Sequence, residues 1–68
     1  MILTAILTQE ADGGYVAHNP ETGVTTQGDT IDTSLANLRE ATELYLEEFP
    51  ERRSCAPALM TSFELAYA

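Results

Sequence analysis

Four side chains in this sequence have the chemistry for catalysis or metal binding: His18, Glu21, Asp29 and Cys55. His18 is the only histidine. It lies in Gly13–Thr30, GGYVAHNPETGVTTQGDT, with Glu21 and Asp29 close behind it. Asp12 stands just ahead of this stretch. A metal-dependent nuclease needs several carboxylates converging on about two divalent ions. Asp12, Glu21 and Asp29 are acidic and near turns, but nothing in their spacing forces convergence. His18 has no serine or cysteine nucleophile motif beside it. Cys55 follows Arg52 and Arg53, and neighbouring cations lower a thiol's pKa. No base or oxyanion hole accompanies it. The glycines at 13, 14, 23 and 28 each suit a turn or a strand end, and they form no phosphate loop opening a helix. The residues therefore point away from an enzyme, from a metal site and from a cofactor site.

The elements that would position these side chains follow from the pattern of the chain. Residues 2–9, ILTAILTQ, alternate as a strand with apolar groups on both faces. Asp12-Gly13 is a hairpin turn signal, and Gly14 is placed for a bulge. Tyr15–Asn19 reads as a second strand, Asn19–Gly23 as a proline turn, and Val24–Gln27 as a third strand ended by Gly28. Thr30 is the expected N-cap of a helix, with Asp32 near its positive end. At about 100° per residue, Ile31, Leu35, Leu38, Thr42, Tyr45, Leu46 and Phe49 share one face, with Ala41 at its margin. Asp32, Glu40, Glu43, Glu47 and Glu51 lie opposite. Leu44 sits among these carboxylates as a candidate apolar centre for a contact ringed by charge. Pro50 stops the helix. Glu51–Pro57 reads as a loop. Ala58–Tyr67 then alternates with period two, with Phe63, Leu65 and Tyr67 on one face, as a last strand. The expected class is α+β: an antiparallel sheet with one helix across a face, in the order β-β-β-α-β.

Sixty-eight residues make one domain with a thin core. A scaffold this small often needs a disulfide, a metal or a partner subunit. One cysteine cannot form a disulfide within the chain, and no Cys/His cluster suggests zinc. Self-association or a partner is the expected source of further burial. No run approaches the roughly 20 apolar residues of a membrane helix. With no positive leader either, the expected location is cytoplasmic. The net charge is −8, from eleven acidic residues against three arginines. Phosphate neutralisation needs Lys and Arg, so direct nucleic-acid binding is not expected. An acidic surface suits a basic protein partner.

Several stretches resemble the HicB-like antitoxin family. These are D-G-G-Y-V-A at 12–17, P-E-x-G at 20–23, Q-G-D-T at 27–30 and L-A-N-L-R-E-A-T-E-L-Y-L-E-E at 35–48. The resemblance implies a β-β-β-α-β domain similar to a truncated ribonuclease H fold. It also implies the antitoxin half of a type II toxin–antitoxin pair. The toxin of such a pair is a small basic HicA-type protein that cleaves mRNA, and the antitoxin blocks its active site. Homo-oligomers, dimer or tetramer, are implied as well. Many members add a DNA-binding segment at the C-terminus, and the expectation here is a single domain over 1–68 without one. The turn P-E-T-G-V-T-T also differs from the longer P-E-x-P-G-C type that members often have. The expected partner-binding residues are Pro20, Glu21, Glu40, Glu43, Leu44 and Glu47. The alternative expectation is an orphan homo-oligomeric domain, structural or regulatory, with no toxin. A residual nuclease using Asp12, Glu21 and Asp29 is the third.

Overall fold

The computed structural model describes residues 1–54 and 56–66. Three strands, β1 (Ile6–Gln9), β2 (Tyr15–His18) and β3 (Thr25–Gly28), form an antiparallel sheet in the order β1-β2-β3. One helix, α1 (Ile31–Glu48), follows, and then a 3₁₀ turn over Pro50–Ser54. The α+β class of sheet plus crossing helix is thus present.

Each turn has a local cause. Gly13 adopts φ 98°, in the left-handed region that glycine enters without strain. Gly13 N–H donates to the Glu10 carbonyl (3.0 Å), and Glu10 N–H to the Gly14 carbonyl (2.7 Å). The Asp12 carboxylate accepts from Gly14 N–H at 3.1 Å, so this acid serves the turn. At the second turn Asn19 N–H donates to Val24 O and Gly23 N–H to Asn19 O, both at 2.8 Å. Register is fixed by Leu7 opposite Ala17 and Ala17 opposite Thr26. Residues opposite one another share a face. Leu7, Ala17 and Thr26 therefore look toward α1, while Ile6, Val16, His18 and Thr25 look away.

The first strand is shorter than the alternation of residues 2–9 suggests. Ile6 pairs with His18, where β2 ends. Residues 2–5 have no strand opposite them, and the Thr4 amide donates to the Glu21 carboxylate at 2.7 Å.

The helix starts as expected. The Thr30 hydroxyl accepts from Thr33 N–H at 3.0 Å. Its buried stripe falls on the face read by period, through Leu38, Thr42 and Leu46, and adds Ser34. Ile31, Leu35 and Phe49 remain exposed. Ser34 is buried by close approach of the helix to β3. A Cβ on Gly28 would stand 2.5 Å from Ser34 N and 2.8 Å from Ser34 Cα. Thr26 Oγ1 donates to Ser34 O (3.0 Å) and Asn37 Nδ2 to Gln27 O (2.8 Å). Small and polar residues thus set the close contact of α1 with β3, while Ile31 and Phe49 lie at the two ends of the helix. The buried apolar side chains are Ala17, Leu38 and Leu46.

The expected last strand, Ala58–Tyr67, is corrected by the structure. Residues 56–66 form no strand, and 59–66 are exposed. A strand exists only where a ladder partner satisfies its backbone. Here Ala58 N–H donates instead to Glu21 Oε2 at 2.7 Å, and Ala58 O accepts from Thr4 Oγ1 at 3.4 Å. Tyr67 and Cys55 lie outside the described residues.

Candidate functional site

Three surfaces bear on function: the acidic outer face of α1, the proline turn, and a groove beside α1. The outer face lies about 200° round the helix from buried Thr42. Leu44 is 59% exposed there. Glu40, Glu43 and Glu47 flank it on one side, all exposed. Arg39 Nε reaches Glu43 Oε1 at 3.7 Å, with both side chains mostly in solvent. Such a pair contributes little to stability. It leaves the face strongly negative beside one apolar group.

The proline turn is built differently. Asn19 is 1% exposed and works in two directions. Its Oδ1 accepts from the Thr22 amide (2.9 Å) and the Thr22 hydroxyl. Its Nδ2 donates to Thr4 O (2.8 Å) and Glu21 Oε1 (2.7 Å). Glu21 Oε1 also accepts from Thr4 N–H, and Oε2 from Ala58 N–H. Part-burial alone would raise the Glu21 pKa. The hydrogen bonds from Thr4, Ala58 and Asn19 outweigh it and lower the pKa from 4.5 to about 2. Glu21 therefore clasps the segment before β1 to the segment after the helix. Its carboxylate is hydrogen-bonded within the chain, unlike the exposed Glu43 with its loose ion pair, while Pro20 lies beside it, half-buried.

The groove, ≈490 Å³, runs between residues 1–5 and α1. It is lined by Leu3, Ala5, Leu35, Leu38, Thr42 and Leu46, with Arg39 and Glu43 also on its wall. It exists because α1 packs on β3 and β2, leaving the helix-side face of β1 uncovered. Leu7 is exposed on that face. Thr42 is 6% exposed, and its hydroxyl has no hydrogen-bond partner among the described residues.

His18 lies on the other face of the sheet, where its Nδ1 meets Thr25 Oγ1 at 2.7 Å. Asp12 belongs to the first turn, Glu21 to the clasp, and Asp29 to the exposed junction before α1. The structure thus gives Asp12, Glu21 and His18 separate local bonds. Among the described residues, no three His, Cys, Asp or Glu side chains assemble as a metal-binding group. Sequence reasoning missed Asn19, Thr4 and Ala58 as organisers of the turn. Asn19-Pro20 signalled a turn, but the other two lie far along the chain.

Residues 4–57 match the model of a family of unknown function, DUF7387. The chain belongs to this family. It is similar to two UPF0150 proteins of Synechocystis sp., ssr1765 and ssl0738, at 47% identity over 45 and 47 residues. These alignments span 65% and 68% of this chain, and 57% and 65% of the two relatives. No solved structure matches. The DUF7387 match takes in the sheet, the helix and the clasp up to residue 57. Among the described residues, no helix is long and apolar enough to cross a membrane.

Proposed function

We propose that this DUF7387 chain is a protein-binding inhibitor, a HicB-like antitoxin that neutralises a small basic RNA-cleaving toxin of the HicA type. The observation that carries the reading is charge placed beside an apolar centre. A domain of net charge −8 shows exposed Leu44 flanked by Glu40, Glu43 and Glu47 on the outer side of α1. A basic RNA-cleaving surface has the complementary sign, and charge of opposite sign speeds encounter and excludes acidic partners. The motif resemblance at 12–17, 20–23, 27–30 and 35–48 supports the same reading. So does the sheet-and-helix layout, which is compatible with a truncated ribonuclease H-like fold. In this role the chain is not an enzyme, needs no cofactor and does not itself bind nucleic acid.

The test is calorimetric titration with the product of a neighbouring small basic gene, at two salt concentrations. Tight, salt-sensitive binding that stops mRNA cleavage is the expected result. The triple variant Glu40→Lys, Glu43→Lys, Glu47→Lys should associate more slowly at low salt. Unchanged binding of that variant would remove the helix face from the proposal.

One observation favours a second reading, an orphan homo-oligomeric domain. The groove beside α1 and the apolar residues after Ala58 are both left uncovered by the chain itself. The absence of any binding to a folded, active basic partner would shift the assignment to this reading.

A further inference from the structure

The chain carries an apolar groove with nothing in it and an apolar segment with nowhere to lie. We propose that the two belong together across copies: residues 58–66 of one chain add as a fourth strand beside β1 of a second copy and fill its groove. This rests on self-association, which both readings of the function allow, and it can fail without either of them failing.

The segment has the pattern of a half-buried strand. Leu59, Phe63 and Leu65 fall on one side, and Ser62 and Glu64 on the other. Leu59 is 97% exposed, Phe63 83% and Leu65 69%. Its only charged residue is Glu64, so two acidic chains can meet here with little repulsion.

The receiving site matches in type. β1 is an edge strand in the order β1-β2-β3, and beyond β2 it has no ladder partner among the described residues. Exposed edges of this kind accept an added strand. A strand beside β1 would turn one face toward α1. Continued past Ile6 along residues 3–5, that face reaches the groove of Leu3, Ala5, Leu35, Leu38 and Leu46, which adjoins β1 and holds none of its residues. The Thr42 hydroxyl, buried and unpartnered among the described residues, is a hydrogen-bonding group left for the arrival of another polar group.

The direction of the segment favours a second copy over its own. The Glu21 clasp holds Ala58 beside Thr4, and the chain then leaves the body. The radius of gyration is 13.8 Å, against about 11 Å for a compact chain of this length. The longest dimension is 46 Å and the shortest 14 Å. A reciprocal exchange about a two-fold axis closes the assembly, since each copy gives one strand and takes one. With Leu59, Phe63 and Leu65 from each copy, at roughly 100–200 Å² per side chain, and a similar area of the receiving groove, the buried area reaches the ~1,200 Å² of a stable interface.

The test uses the whole chain. Sedimentation equilibrium should give twice the 7.4 kDa of one copy. The double variant Phe63→Glu, Leu65→Glu should shift the mass to one copy, while Ser62→Glu, on the other side of the segment, should leave it doubled. Circular dichroism and a thermal melt confirm that each variant is folded. In a mixture of ¹³C-labelled and unlabelled chains, filtered NOE spectra should connect the Phe63 ring of one copy to Leu35 and Leu46 methyls of the other. A monomeric wild type refutes self-association and the inference with it. A dimer whose mass ignores the double variant refutes only the strand exchange. NOEs confined within one copy show that the segment folds back on its own groove, which also overturns the proposal.

Discussion

Replacing Glu21 tests the clasp, and the two obvious replacements separate its halves. The carboxylate accepts three N–H groups, from Thr4, Asn19 and Ala58, each at 2.7 Å. Hydrogen bonds to a charged group each contribute about 1.5–3 kcal/mol when well buried. This carboxylate is only part-buried, and the released Ala58 amide can turn to water. Asn19 Nδ2 also keeps Thr4 O. A loss of about 2 kcal/mol for Glu21→Ala is therefore expected, which is roughly 8–16 °C in Tm for a domain this small. Glu21→Gln should cost about half as much. Its amide oxygen can replace Oε1 and keep Thr4 and Asn19, but its NH₂ then faces the Ala58 N–H, donor against donor. Amide exchange at Ala58 should accelerate strongly while Thr4 stays protected.

The pH dependence supplies a second readout. The folded pKa of Glu21 is lowered from 4.5 to about 2. Above about pH 4.5 its contribution is fully present. As pH falls from 4.5 toward 2 the unfolded chain takes up the proton first, so the contribution is lost across that window. Urea unfolding of wild type and Glu21→Gln from pH 2 to 7 isolates this term from the other carboxylates. The stability gap should be constant above pH 5 and close near pH 2. A gap that stays flat to pH 2, or a cost below about 0.5 kcal/mol for Glu21→Ala, within the range of ordinary surface substitutions, would refute the clasp.

Three further substitutions probe other parts of the molecule. Gly28→Ala puts a Cβ 2.5 Å from the Ser34 amide nitrogen. The helix must move off β3 at a cost of about 1–3 kcal/mol or more in urea unfolding. Thr30→Ala removes the cap that accepts from Thr33 N–H, and should cost about 1 kcal/mol in a thermal melt. Thr42→Val deletes a hydroxyl that nothing described in its own copy satisfies. The separated chain should gain about 1 kcal/mol, while self-association, followed by sedimentation, should weaken. Equal stability with unchanged association would show that water already serves that hydroxyl.

The parts legible in the sequence are those whose causes are local. Asp12-Gly13 marks its turn because positive φ is needed there. Thr30 and Pro50 bracket the helix because a cap and a missing N–H act within one turn. The apolar period placed Leu38, Thr42 and Leu46 on the buried side of α1, whereas the close contact of Gly28 with Ser34 was not legible, since neither carries a hydrophobic signal. The alternation after Ala58 is real, yet alternation supplies only a strand's face and not its neighbour. Glu21 was visible as a carboxylate on a turn. Asn19 is close by, but the other partners lie 17 residues before it and 37 after it, and no short window contains those. The exposed acids of α1 are where the helical wheel puts them, because a charged face needs only water opposite it.

The sheet order β1-β2-β3 also governs how the molecule comes into being. Every strand pairs with its neighbour in the chain, and the helix returns at once onto the last strand. Pairing of this local kind closes small loops first and belongs to fast-folding domains. The sheet and α1 are complete at Glu48, and the described residues after it add no strand or α-helix. The sheet and helix can therefore form before the last segment finds its place. Residues 58–66 then reach a surface already formed, and only docking on a second copy would make the yield of that step depend on concentration.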